Sequence, residues 1–135
     1  MPENRDRKKR CVRFSVQGTV LHYKRKFAFF RIGRYTDDYF PVIDLSRGGL
    51  CFLSQTRLKA NARLRFKILV PGEEKPLRID GHVRWVLPDP GMSYAYRIGV
   101  QFAPYDIEKR GNSIESLETL KRLEATHAVC DVGAT

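Results

Sequence analysis

Ala62-Arg63-Leu64-Arg65-Phe66-Lys67-Ile68-Leu69-Val70 is the stretch that decides the fold. Leu64, Phe66, Ile68 and Val70 share one parity, and Arg63, Arg65 and Lys67 share the other. Successive side chains of a strand point to opposite faces, so this is a strand with an apolar inner face and a basic outer one. Downstream, Pro71-Gly72-Glu73-Glu74 makes a turn into LRIDGHVRWV (77–86), and Pro88-Asp89-Pro90-Gly91 makes another into YAYRIGVQF (94–102). Upstream, the Arg47-Gly48-Gly49 turn joins DYFPVIDLS (38–46), with Pro41 near its start, to LCFLS (50–54). In RFSVQGTVLHY (13–23), Phe14, Val16, Val20 and His22 alternate with Arg13, Ser15, Gln17 and Thr19, as a half-buried strand does. The basic and aromatic YKRKFAFFRIGRY (23–35) reads equally as an edge-extending strand or a loop.

Six short strands separated by turn signals predict a mainly β fold, a closed six-stranded antiparallel β-barrel, in which closure removes exposed edges. The C-terminal part differs. Asn112-Ser113-Ile114-Glu115 has a capping-box spacing, and Ile114, Leu117, Leu120 and Leu123 recur every three residues. They predict one amphipathic helix, about 113–126, packed on the barrel, with Glu118 able to pair with Arg122. The expected organisation is a flexible basic arm over 1–12, a barrel-plus-helix domain over 13–126 and a tail over 127–135.

At 135 residues, 42% of them hydrophobic and 30% charged, the chain has the make-up of one soluble globular domain. Apolar runs such as Ile68-Leu69-Val70 are too short to span a bilayer, and no apolar stretch follows the basic N-terminus, so a cytoplasmic location is expected. Cys11, Cys51 and Cys130 are odd in number and lack CxxC spacing, which argues for free thiols, with Cys51 buried. The net charge of +10 is uneven: residues 1–34 hold 11 Lys/Arg against 2 Asp/Glu. Such a focused positive field attracts anions, whether nucleic acid, phospholipid or a phosphate-bearing metabolite.

Val42-Ile43-Asp44-Leu45-Ser46-Arg47-Gly48-Gly49 carries the chemistry. Asp44 and Ser46, two apart on a strand, project from one face, leaving Ile43 and Leu45 for the core. A carboxylate accepts from two adjacent N–H donors, with a hydroxyl beside it, and glycines let a ligand approach the backbone. Guanine, with N1–H and N2–H2 donors, fits Asp44. An arginine fork can grip its O6 and N7, stack on its ring or bind a phosphate.

With Asp44, Ser46 and Gly49 forming DxSxxG, a basic segment a few tens of residues upstream, and GHVRWV and YRIGVQF downstream, the chain resembles a PilZ domain, the bacterial receptor module for cyclic di-GMP. The resemblance covers about residues 7–126. It implies that the protein binds cyclic di-GMP, with no other cofactor, and that an RxxxR motif grips guanine and phosphate while the Asp and Ser bond the base. Here the second arginine corresponds to Arg13, and four residues earlier stands Lys9, which keeps the charge without the planar fork. Arg10, like Arg7, is an alternative anchor, and Lys8 occupies the position before the motif, where pair-binding members carry a basic residue. A tryptophan on the fifth strand contacts guanine in some members. Trp85 is a candidate, although it shares the parity of Leu77, Ile79 and Val83 and so reads equally as core. Arg47 reads equally as a phosphate contact or a solvated cation. The ligand-binding set is therefore Lys8, Lys9, Arg10, Arg13, Asp44, Ser46, Arg47, Gly49 and Trp85. Ordering of the arm over the ligand would change the surface shown to a protein partner that the sequence does not identify.

The sequence gives no support to catalysis or to a metal site: His22, His82 and His127 lack metal spacing, and no HExxH, GxSxG or Walker loop occurs. Two further readings stay open beside the receptor: a single-stranded nucleic-acid-binding barrel, from the interleaved YKRKFAFFR, and a nucleotide-independent PilZ-like adaptor.

Overall fold

The turns expected at Arg47-Gly48-Gly49 and Pro71-Gly72-Glu73-Glu74 join neighbouring strands, and the strands close on themselves. The computed structural model describes residues 12–26, 33–89, 93–106 and 111–128. They form β1 (Val20–Arg25), β2 (Phe40–Leu45), β3 (Gly49–Ser54), β4 (Arg63–Leu69), β5 (Leu77–Pro88), β6 (Tyr96–Phe102) and α1 (Ile114–His127). The strands make a closed antiparallel barrel in the order β1-β2-β3-β6-β5-β4. Its interior is filled by Leu21, Phe52, Leu64, Phe66, Ile68, Ile79, Val83 and Ile98, none of them exposed. Full burial of each such side chain contributes about 1.5–3 kcal/mol, so the interior is the main source of stability. The parity expected for β4 and for the first half of β5 is the parity observed.

β1 departs from expectation. The run from Arg13 is not one strand: Gly18, at φ +90°, makes a turn that only glycine adopts without strain. Thr19 follows it, buried, with its hydroxyl donating to the Val16 carbonyl (2.7 Å). The turn resets the alternation, so Leu21 and Tyr23 face the core and Val20 and His22 do not. Tyr23, Lys24 and Arg25 of the ambiguous basic stretch continue as strand, Lys26 bridges to Arg63, and residues 27–32 lie outside the described residues. So do 1–11 and 129–135, and with them most of the expected arm and tail.

The helix is capped by Ser113, whose hydroxyl accepts from the Ser116 N–H (3.1 Å); Asn112 is not the cap. Asn112 is buried instead, accepting from the Asp80 N–H (2.7 Å) and donating to the Asp80 and Ala103 carbonyls (2.9 and 3.0 Å). Leu120 and Leu123 of α1 pack into the core. Arg122 forks onto Glu73 of the β4–β5 turn (2.7 and 3.0 Å), where an Arg122–Glu118 pair was expected, because the barrel brings a better-aligned carboxylate to it. Among the described residues no helix is long and apolar enough to cross a membrane.

Candidate functional site

Two β-bulges build the site. On β2, Val42 pairs with Phe52 and Asp44 with Cys51, so Ile43 is an extra residue. Val42 and Leu45 therefore pack inward, Ile43 leaves the core position expected for it, and Asp44 is turned outward. On β5, Val83 pairs with Val100 and Trp85 with Gly99, which makes Arg84 the extra residue. A bulge inverts the facing of all that follows it. Trp85 thus leaves the core face that its parity indicates, and Val86 packs inward in its place. The register then aligns Asp44, Cys51, Gly99 and Trp85 in one row across β2, β3, β6 and β5. Small residues in the middle of the row form a floor between an acid and an indole. The Trp85 ring lies so close over Gly99 that a Cβ there would stand 2.1–2.4 Å from three ring atoms.

Arg13 reaches the same place by backbone pairing. The Phe14 N–H donates to the Leu45 carbonyl (2.9 Å), the Leu45 N–H donates to the Phe14 carbonyl (2.8 Å), and the Ser15 hydroxyl donates to the Ile43 carbonyl (2.7 Å). This pins residues 13–15 along the end of β2 and sets Arg13 Nη1 3.8 Å from Asp44 Oδ2. The Arg13 side chain stays 63% exposed, so it is available to a ligand. Burial pushes the Asp44 carboxyl above the usual carboxylate range, and Arg13 and Arg97 offset part of that rise. The result is a desolvated acceptor in a basic surround.

Ser46 organises the next turn. Its hydroxyl accepts from the Gly48 and Gly49 N–H groups (3.2 and 3.1 Å), and its own N–H donates to the Gly49 carbonyl (2.8 Å). Gly49 has no room for a side chain: a Cβ would lie 2.0 Å from the Val100 carbonyl oxygen. A cleft of about 240 Å³ results, lined by Arg13, Asp44, Ser46, Gly49, Arg84, Trp85 and their neighbours on β6. Arg84, Gly99 and Gln101 were not legible as site residues in the sequence, since they join the cleft only through the β5 bulge and the β3–β6–β5 register.

Arg47 is engaged elsewhere. Its guanidinium donates to both carboxylate oxygens of Glu124 on α1 (2.9 and 3.2 Å), and its carbonyl accepts from the Tyr105 hydroxyl (2.6 Å). It is neither a free solvated cation nor part of the cleft wall. Lys8, Lys9 and Arg10 lie outside the described residues. Within the floor, Cys51 is buried, and burial together with Asp44 pushes its thiol up to about 11, so it stays protonated and inert at neutral pH. Among the described residues no cluster of His, Cys, Asp or Glu could hold a metal ion. A carboxylate, an indole face and two flanking arginines suit a planar heterocycle with N–H donors and negative charge.

Comparison with known proteins gives the same frame. The Bacillus subtilis inhibitor of motility, MotI/DgrA, is similar in structure at TM-score 0.60 and 14% identity, over 84% of this chain and 47% of its own. YcgR of Escherichia coli, solved in complex with c-di-GMP, matches at TM-score 0.57 and 18% identity, over 87% of this chain and 44% of its own. The c-di-GMP complex of MrkH from K. pneumonia matches at TM-score 0.58 and 20% identity, over 87% of this chain and 52% of its own. The chain thus spans about half the length of these structures, and at such identities the likeness concerns the fold. No curated protein sequence matches it significantly. The family model for the PilZ domain matches residues 4–119, which take in Arg13, the Asp44–Gly49 turn and all six strands, and the chain belongs to the PilZ domain family.

Proposed function

We propose that the protein is a cytoplasmic receptor for cyclic di-GMP and not an enzyme. The observation that carries this is the juxtaposition of Arg13 and Asp44 over a floor bounded by Trp85. Two of the structurally similar proteins were solved with that nucleotide bound. In this reading Asp44 accepts from guanine N1–H and N2–H2, Trp85 supplies a stacking face, and Arg13 and Arg84 meet guanine O6/N7 or phosphate oxygens. The cleft is smaller than the roughly 300–1,000 Å³ that encloses a drug-sized ligand. It therefore takes one base, and the rest of the dinucleotide lies across the surface under the arm.

The upstream cations complete the clamp. An extended chain covers at most about 3.3–3.6 Å per residue, so the Cα atoms of Arg10, Lys9 and Lys8 lie within about 11, 14 and 18 Å of that of Arg13. Charge-assisted bonds of about 1.5–3 kcal/mol each and stacking of about 1–3 kcal/mol offset the cost of ordering the arm and leave micromolar affinity, which needs about 8 kcal/mol. Ser46 acts mainly by holding the Gly48–Gly49 backbone open to the ligand. Arg47 ties the same turn to α1, which gives the bound state a route to a surface that a protein partner reads.

Calorimetric titration tests the reading. Cyclic di-GMP should bind at about 10 μM or tighter, Arg13→Ala and Asp44→Ala should each weaken it at least about tenfold, and cyclic AMP should give no heat. No heat from cyclic di-GMP would leave the nucleotide-independent adaptor as the better account.

A further inference from the structure

The barrel carries a second charged surface on the strands that the cleft does not use. Beyond an edge row of Val20 and Leu69, the register of β1, β4 and the first half of β5 sets their outward side chains in a grid of three polar rows. His22, Lys67 and Arg78 form one row, and Lys24, Arg65 and Asp80 the next. The Lys26 N–H donates to the Arg63 carbonyl (3.0 Å) and Arg63 pairs with His82, which completes the third. Six of the nine positions are Lys or Arg and one is acidic. Asp80 is shared by Arg65 (2.7 Å) and Lys26. Among the described residues no carboxylate lies within ion-pair distance of Lys24, Arg63, Lys67 or Arg78. Lys67 stands directly opposite Arg78, a like-charge pair that weakens a sheet, and the Lys24 and Lys67 ammonium groups share the Tyr35 ring at 4.7 and 5.8 Å. The face thus concentrates positive charge that the fold does not neutralise.

We infer that this face binds the phosphate backbone of a nucleic acid duplex without reading its sequence. Two features select that occupant. The three rows are polar throughout and only the Val20–Leu69 row at their edge is aliphatic, whereas stable protein interfaces have an apolar core and are depleted in lysine. The grid holds both flexible ammonium groups and arginine forks, the donors that phosphates take. The inference goes beyond the receptor reading and uses none of its residues, because the cleft lies on β2, β3, β6 and the second half of β5.

Fluorescence anisotropy of a labelled mixed-sequence duplex of about 30 base pairs, with the full chain at varied salt, tests it. Four unpaired cations predict a log–log salt slope near −3.6, so binding weakens about 150-fold between about 50 and 200 mM salt. The variant Lys24→Gln/Lys67→Gln/Arg78→Gln should bind at least about tenfold more weakly at low salt and flatten the slope by about 2.7, with its cyclic di-GMP heat unchanged. Arg78→Glu alone should shift both in the same direction. A control, Lys8→Gln/Lys9→Gln/Arg10→Gln, separates the arm from the face. Loss of duplex binding in the arm variant but not in the grid variant would overturn the proposal. No duplex binding by the parent chain at about 50 mM salt, or capture by phosphatidylglycerol vesicles with the duplex unbound, would overturn it too.

Discussion

Replacing Asp44 by Asn separates binding from stability. The carboxylate can accept from both guanine donors, whereas the amide accepts one and presents its own NH2 to the other. One charge-assisted bond is lost and the second weakened, a cost of about 2–3 kcal/mol, or about 30- to 150-fold in Kd for cyclic di-GMP. Folding responds in the opposite sense. Burial raises the Asp44 pKa above its unfolded value despite Arg13 and Arg97, so the folded chain holds that proton more tightly than the unfolded one. The Asp44 charge therefore opposes folding above the raised pKa, and this opposition vanishes below the unfolded value. Asn carries no such charge, and Arg13 is too exposed for its release to cost much. The variant should melt no lower than the parent at pH 7 while binding far more weakly. The parent's affinity should also fall on acidification while the pH is still above the ordinary carboxylate range, and the variant's should not. Burial raises Asp80, but the hydrogen bonds and charges of Arg65 and Lys26 together outweigh it and hold Asp80 below that range, so its contribution to stability is lost only at lower pH. Calorimetry and thermal melts at several pH values read both quantities. Unchanged affinity in the variant, or a melting point that falls along with affinity, would refute the reasoning.

Three further outcomes follow from the same geometry. Gly99→Ala should lift the Trp85 ring from the sheet, because the added methyl would overlap three ring atoms; its emission should shift and cyclic di-GMP affinity should fall about 5- to 150-fold with the loss of roughly 1–3 kcal/mol of stacking. Asn112→Ala should lower stability by about 2–3 kcal/mol in urea denaturation, since it orphans the Asp80 N–H and the Ala103 carbonyl in a buried setting, while the Asp80 carbonyl keeps the Ala103 N–H (2.9 Å). Cys51 should resist a thiol reagent at pH 8 in the native protein and react once unfolded, because its thiol is buried and pushed up to about 11.

Where the chain alternates without interruption, its sequence shows the fold. Leu64, Phe66 and Ile68 fall inward and Arg63, Arg65 and Lys67 outward with no local event to disturb them. The misplaced side chains each follow such an event. Gly18 resets β1, Ile43 resets β2 and Arg84 resets β5, and an inserted residue leaves no mark in a hydrophobic pattern until its pairing partner is known. The site was legible in part for the same reason. Arg13, Asp44, Ser46 and Gly49 belong to local motifs, and they do line one cleft. Trp85 and Arg84 join them only through the β5 bulge, and Gln101 joins from the neighbouring β6. Arg47 belongs to the motif by sequence, but α1 supplies Glu124 to hold it.

The most direct test is a backbone amide map of the labelled chain titrated with cyclic di-GMP. The amides of Asp44, Gly48, Gly49 and Gly99 and the Trp85 indole N–H should move together and saturate with one affinity, and those of Lys24, Lys67 and Arg78 should not. Shifts confined to β1 and β4, or none at all at about 1 mM nucleotide, would contradict the claim that this cleft is the receptor site.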